Sequence, residues 1–256
     1  MFREQKIKIG DYYINYLKVG NGPRNLLFVP GAYGSIWTNF KLQVEGFDRE
    51  KFTLVLWDPP GYGNSRPPDR DFPADFYERD ADCAYELMKA LKLPTYSILG
   101  WCDGGIVSMI LTSKHPEVTE KLVIWGSKAF ILPHEIAVYD KFRDLDVWSD
   151  NLKNPMLELY GEKFGSYWAK WTDNAIYSVL KTREGNICSD RLKEIKCPTL
   201  ILYGEKDPIV ETMHASYLQT HIENSRLYKY PKGKHNIHIK YAEDFNRRVQ
   251  EFLLQP

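Results

Sequence analysis

The sequence predicts an α/β fold in which a mostly parallel β-sheet is flanked by helices and carries a small helical cap. Short apolar runs, most of them rich in β-branched or aromatic residues, are bounded by Gly, Pro or Asp, as buried strands usually are. These runs alternate with stretches of helical periodicity, which is typical of βαβ units. The predicted strands cover residues 12–19, 25–30, 52–58, 96–100, 121–126, 199–204 and 225–231.

One region breaks this alternation. Residues 127–190 contain no convincing strand but many aromatic side chains at roughly helical spacing. We predict a helical cap there, inserted into a single core made of residues 1–126 and 191–256. Most of its aromatic side chains are expected to pack within the cap, and a few to face a pocket. The helices predicted for the core cover residues 75–92, 103–115, 209–221 and 239–254.

The charge balance of the chain favours a small-molecule partner. Lys+Arg and Asp+Glu both number 34 in 256 residues, so the formal net charge is zero and no extended basic field is available for nucleic acid or membrane. No stretch approaches the roughly 18 apolar residues of a membrane span. We therefore expect neither nucleic-acid nor membrane binding. We also expect a monomer, because no long unpaired amphipathic face stands out.

The four cysteines are widely scattered, without a CxxC pair or a metal-type spacing to histidines. This pattern favours a reducing compartment, and we expect no metal and no organic cofactor. The N-terminal segment MFREQKIKIG lacks the apolar stretch of a secretory signal. We expect a cytoplasmic protein, or a mitochondrial one if a transit peptide is missing from this chain.

A candidate nucleophile lies between a predicted strand and the helix that follows it. In the segment SILGWCDGGIVSMI, Cys102 occupies the apex of a G-x-nucleophile-x-G turn, flanked by Gly100 and Gly104. The turn also sets Cys102 at a helix N-terminus, where the dipole favours a thiolate. An isolated motif of this kind would more often hold a buried structural cysteine, but the strand and helix context favours a nucleophile.

A base and an orienting acid follow in the order that this kind of fold uses. Asp207 comes just after the strand 199–204, and His235 comes just after the strand 225–231. Because parallel strands deliver their carboxyl ends to one edge of the sheet, both residues are expected near Cys102. His238 is a competitor, but it already belongs to the start of the last predicted helix.

Backbone N–H groups are the expected donors to a developing oxyanion. The segment FVPGAYGS offers the N–H of Ala32, and the elbow offers the N–H of Asp103. We also predict that Gly31 and Tyr33 of the same segment, together with Trp125, contribute to substrate binding. The loop after the strand 52–58 is expected to be structural.

Together, GWCDGG, VIWG, the GNIC segment, GEKDP and GKHNIHIKYAEDFN resemble the valacyclovir hydrolase family, also called biphenyl hydrolase-like proteins, over nearly the whole chain. The resemblance implies an α/β-hydrolase with a small helical lid that hydrolyses α-amino-acid esters. It makes Cys102, Asp207 and His235 the triad, and it makes Asp103 the carboxylate that holds the α-ammonium group of the substrate. Asp103 could otherwise serve only to favour the first turn of its helix.

The sequence departs from this family at the nucleophile, which is serine in the family and cysteine here. Dienelactone hydrolases of the wider fold use cysteine, so the departure is compatible with a working enzyme that forms a thioester. Two alternatives stay open: a lactone, thiolactone or dienelactone-type hydrolase, and a ligand-binding or trapped variant with little turnover. The expected reactants are a small-molecule ester and water.

Overall fold

A computed structural model describes residues 2–256, which form an eight-stranded sheet with helices on both faces. The strand order is β1-β2-β4-β3-β5-β6-β7-β8, and every neighbouring pair is parallel except β1 with β2 and β2 with β4. The predicted fold class is therefore confirmed. The strands are β1 (Gln5–Ile9), β2 (Tyr12–Val19), β3 (Arg24–Val29), β4 (Phe52–Trp57), β5 (Tyr96–Trp101), β6 (Thr119–Trp125), β7 (Thr199–Gly204) and β8 (Ser225–Tyr230).

The helices include all four that the sequence predicts for the core, and the last of them is divided in two at Tyr241. No helix in residues 2–256 combines the length and the apolar character needed to cross a membrane. The helices are α1 (Ile36–Gly46), α2 (Phe76–Ala90), α3 (Asp103–Lys114), α4 (Ile136–Arg143), α5 (Asp150–Tyr160), α6 (Phe164–Thr172), α7 (Val179–Arg183), α8 (Thr212–His221), α9 (Ile237–Lys240) and α10 (Ala242–Leu254).

Alternation along the central strands divides the core into two layers. Leu27 and Val29 of β3 pack on the side of the sheet that is covered by α2 and α3. Leu26 and Phe28, which point the other way, pack on the side covered by α1 and α10. Both sets are fully buried. A strand that is covered on both faces has a continuous run of apolar residues, and such runs allowed these strands to be predicted from the sequence.

Two elements, β1 and α1, were not predicted from the sequence. β1 is an exposed edge strand of sequence QKIKI, and only Ile9 is buried. In α1 the apolar pattern is interrupted because Asn39 and Gln43 are buried as well. The Gln43 side-chain amide donates to the carbonyl of His238 at 2.8 Å, so a polar contact with the last helices replaces an apolar one.

The chain between β6 and β7 is largely helical and contains α4 to α7. Its two ends lie side by side: Phe130 pairs with Asn186 in an isolated bridge, and the N–H of Ile131 donates to the carbonyl of Gly185 at 2.8 Å. This closure is typical of an insertion that leaves and rejoins a sheet at one place. The exact bounds of the cap, residues 127–190, stay a prediction.

A buried ion pair holds the loop after β4 against α2. Arg70 and Asp80 form two hydrogen bonds of 2.7 and 2.6 Å, with side chains 1% and 5% exposed. Asp80→Ala would leave the guanidinium buried without its counterion, so we expect the free energy of unfolding to fall by about 3–5 kcal/mol. Urea denaturation followed by circular dichroism measures this change.

Asp71→Ala is the matched control for this prediction. Asp71 pairs with Arg79, but its side chain is 69% exposed. Its loss should therefore change the free energy of unfolding by no more than about 1 kcal/mol. Equal effects of the two substitutions would contradict the role assigned to the buried pair.

Candidate active site

The turn between β5 and α3 holds Cys102 in a strained backbone conformation. Its φ is 56° and its ψ is −122°, and its N–H donates to the carbonyl of Trp125 at 3.0 Å. A Cβ on Gly104 would lie 2.0 Å from the carbonyl oxygen of Val29, and one on Gly100 would lie 2.4 Å from that of Gly104. Both flanking positions therefore require glycine, and the turn presents the Cys102 side chain to the cavity above it.

His235 and Asp207 meet beside this turn. Asp207 follows β7 and His235 follows β8, and the Nδ1 of the histidine lies 2.8 Å from Oδ2 of the carboxylate. The other carboxylate oxygen accepts the N–H groups of Ile209 and Val210 at 2.9 and 3.1 Å. The carboxylate is thus fixed by the backbone and in turn fixes the imidazole. The indole of Trp101 also donates to the carbonyl of His235, at 3.2 Å.

The charge environment distinguishes His235 from His238. Burial alone would lower the pKa of His235, but Asp207 and the hydrogen-bonding Cys102 side chain outweigh burial and raise it to about 10. Burial and the nearby His235 lower the pKa of His238 to about 3, and its Nε2 donates to the carbonyl of Asn39 at 3.1 Å. His235 is thus the histidine that contacts the candidate nucleophile. His238 instead makes a structural contact in the core.

A cavity of about 620 Å³ opens between the carboxyl edge of the sheet and the helices of the cap. Cys102, Asp103, Ala32 and His235 lie at its base, on the side of the sheet. The cap contributes mainly apolar and aromatic side chains, so an apolar group fits this part of the cavity. The lining residues from the cap include Tyr139, Phe142, Trp148, Trp168, Trp171 and Ile176.

The carboxylate of Asp103 lines this cavity next to Cys102. It is 8% exposed, and its Oδ2 accepts the indole N–H of Trp171 at 2.6 Å. Burial raises its pKa to about 6, although hydrogen bonds from Trp171 and Tyr77 oppose the shift. Trp171 and Tyr77 are contacts that sequence reasoning did not assign to the site, since they come from distant segments.

Within residues 2–256, Asp103 forms no salt bridge. The cavity therefore holds a buried carboxylate that two neutral donors stabilise in place of a cation. The same described range contains no group of three or more His, Cys, Asp or Glu residues arranged to hold a metal ion.

The loop after β3 approaches the nucleophile closely. A Cβ on Gly31 would lie 3.1 Å from the Cβ of Cys102, so a side chain there would crowd the sulfur. The N–H of Gly31 donates to Oδ1 of Asn39 at 3.1 Å. In the hydrogen-bond network of residues 2–256, the N–H groups of Ala32 and Asp103 donate to no protein acceptor.

Three of the predicted substrate-binding residues, Gly31, Tyr33 and Trp125, do not line the cavity, and the structure gives no support to their predicted contact with substrate. Tyr33 is 1% exposed and stacks between Tyr62 and Tyr167, at 4.8 and 5.8 Å between ring centroids. Trp125 is also 1% exposed and packs against Phe245 of α10, on the other side of the sheet. On the neighbouring strand β5, Trp101 pairs in register with Trp125, but it is only partly buried and lines the cavity.

A buried ionic cluster joins the cap to the core beside the cavity. Lys128 donates to Oε1 of Glu135 at 2.9 Å, and the same oxygen lies 3.0 Å from Nε2 of His214 on α8. Burial would raise the pKa of Glu135, but hydrogen bonding from His214 and the charge of Lys128 outweigh it and lower the pKa to about 2. Although Lys128 lines the cavity, its charge is balanced by Glu135.

Comparisons with known proteins agree with this arrangement. A family profile described as the alpha/beta hydrolase fold matches residues 24–151. Serine hydrolase BPHL of Mus musculus is 45% identical over 252 residues, which cover 97% of this chain and 85% of the relative. The protein of the same name from Homo sapiens is 43% identical over 249 residues, with the same coverage.

Solved structures show the same fold at low sequence identity. A meta-cleavage product hydrolase from Pseudomonas fluorescens IP01 superposes with a TM-score of 0.78 at 19% identity, over 97% of this chain and 96% of that one. The enol-lactonase from Burkholderia xenovorans LB400 gives a TM-score of 0.76 at 17% identity, over 98% of this chain and the whole of that one. The resemblance inferred from the sequence motifs is confirmed, and the chain belongs to the α/β-hydrolase family, among the biphenyl hydrolase-like proteins.

Proposed function

We propose that this hydrolase cleaves esters of α-amino acids through a thioester formed on Cys102. The observation that carries the proposal is the buried carboxylate of Asp103, which adjoins the candidate nucleophile and has no cationic partner within residues 2–256. An α-ammonium group is attached one carbon from the scissile carbonyl. A carboxylate next to the nucleophile can therefore hold the ammonium and orient the ester for attack.

In the proposed reaction, His235 removes the thiol proton and the sulfur of Cys102 attacks the ester carbonyl. The backbone N–H groups of Ala32 and Asp103 stabilise the tetrahedral oxyanion, since both are free of protein acceptors. As the intermediate collapses, the carbon–oxygen bond breaks and His235 protonates the departing alcohol. Asp207 keeps the imidazole in the orientation that both transfers require.

The second half of the reaction releases the acid. Water, deprotonated by His235, attacks the thioester, and the carbon–sulfur bond breaks to regenerate the Cys102 thiol. No redox step and no additional reactant are needed. The apolar, largely aromatic wall of the cap supports acyl groups with apolar side chains, because such groups bury well against it.

The test uses an activated ester of an apolar L-amino acid, with alcohol release and the intact mass of the protein followed together. We expect multiple turnovers of the original protein and only transient gain of one aminoacyl mass. A protein that gains that mass and then stalls, while Cys102→Ser turns over, would identify a trapped acyl-enzyme. Absence of reaction in both proteins, with this ester and with an ester lacking the amino group, would contradict the proposed function.

A further inference from the structure

One wall of the cavity carries an unbalanced positive charge. Lys232, Lys234 and Lys240 line the cavity, and all three are exposed at its mouth. None of them takes part in a salt bridge within the described residues. The half-buried Asn236 lines the same wall, and its amide has no protein partner in residues 2–256. The wall is therefore rich in hydrogen-bond donors and lacks carboxylates.

The remaining charges of the cavity do not cancel these three. Asp103 is the one carboxylate among the described lining residues, and it lies buried at the base. The fourth lining lysine, Lys128, is paired with Glu135. The formal net charge of the chain is zero, so no positive field extends over the whole protein. Three unpaired lysines at one opening therefore produce a local positive field there.

The chemistry of the site places the leaving group against this wall. The leaving oxygen receives its proton from His235, so it must come within hydrogen-bonding distance of that ring. Lys232, Lys234 and Lys240 belong to the loop and short helix that carry His235. The ammonium of the acyl group is held at Asp103, on α3. The two halves of the ester thus face walls of opposite charge.

We infer that residues 232–240 form a subsite for an anionic leaving group, and that the enzyme selects esters whose alcohol bears a carboxylate or a phosphate. This inference rests on the proposed function and specifies its substrate class. Ammonium and guanidinium groups are the usual partners of such anions, and exposed lysines act on them as point charges that salt can screen.

The experiment compares two L-phenylalanine esters that differ in one group of the alcohol: para-(hydroxymethyl)benzoate, an anion, and para-(hydroxymethyl)benzamide, its neutral analogue. Alcohol release in the first turnover is measured, because that step precedes any stall at the thioester. At low salt we expect the anionic ester to react about 10-fold more efficiently, as judged from kcat/KM for acylation. Raising NaCl from about 20 to about 500 mM should bring the ratio of the two esters close to one.

The combined variant Lys232→Gln, Lys234→Gln, Lys240→Gln should abolish this preference at low salt. The control variant Lys8→Gln, Lys18→Gln, Lys41→Gln removes the same net charge from positions outside the cavity and should retain the preference. Since the ratio compares two esters on one protein, a general loss of folded enzyme does not alter it. Equal reaction of the two esters in the original protein would overturn the subsite, whereas failure to release either alcohol would overturn the proposed function itself.

Discussion

Replacing Cys102 with alanine is expected to lower alcohol release from an aminoacyl ester by at least about 1000-fold, because no other group at the elbow can accept the acyl group. The geometry supports this effect: Cys102 contacts His235, whose pKa is raised to about 10 by its charged neighbours although burial opposes the shift. The measurement is the rate of alcohol release under saturating ester. Far-ultraviolet circular dichroism verifies that the variant is folded.

Cys197→Ala provides the control for this experiment. Cys197 is half-buried before β7, and it does not line the cavity. Its replacement should leave the rate of alcohol release within about twofold of the original. A Cys102→Ala variant that keeps more than about one tenth of the original rate would show that another group is the nucleophile.

Asp103→Asn is expected to reduce kcat/KM for the aminoacyl ester about 100-fold, relative to a matched ester that lacks the amino group. Asparagine preserves the size of the side chain and an oxygen that can accept the indole N–H of Trp171. It removes the negative charge that the α-ammonium group would meet. The readout is the ratio of kcat/KM for the aminoacyl ester to kcat/KM for the matched ester. A shift of the neighbouring backbone N–H group would affect both esters alike and would leave this ratio unchanged. An unchanged ratio would exclude Asp103 as the ammonium partner.

The pH dependence of the kcat/KM ratio for these two esters tests the charge of Asp103 directly. Burial raises the pKa of Asp103 to about 6, so its carboxylate is ionised above this pH and becomes protonated as the pH falls through it. A neutral acid attracts an ammonium group far less. We therefore expect the preference for the aminoacyl ester to decline below about pH 6 in the original protein and to be independent of pH in Asp103→Asn. A preference that rises on acidification would contradict the assignment.

Strand periodicity and chain order account for most of what could be predicted from the sequence. The central strands are buried on both faces and therefore appear as apolar runs, and the carboxyl ends of β5, β7 and β8 bring Cys102, Asp207 and His235 to one edge. What could not be predicted depends on tertiary contacts. The indole of Trp171 reaches Asp103 from a cap helix 68 residues away in sequence, and no local pattern encodes that approach.

Side-chain burial explains why some predicted binding residues do not line the cavity. Trp125 lies at the end of a strand and Tyr33 shortly after one, and both strands end at the same edge of the sheet as the nucleophile, but their side chains are buried in the core. The lysines of residues 232–240 look like an ordinary charged exterior in the sequence, and only the position of His235 among them connects them to the cavity. The placement of a side chain, more than its residue type, separates the predicted residues that line the cavity from those that do not.

The backbone at residue 102 is held by its neighbours rather than by its own side chain. The close approach of Gly104 to β3 and the main-chain bond to Trp125 impose the same φ on whatever residue occupies the turn. An unchanged scaffold can therefore hold the Cβ of a residue that carries oxygen, sulfur or selenium at the same position. Because codons for serine and cysteine can differ by a single base, a lineage can exchange its reactive element in one mutational step while the protein stays folded throughout.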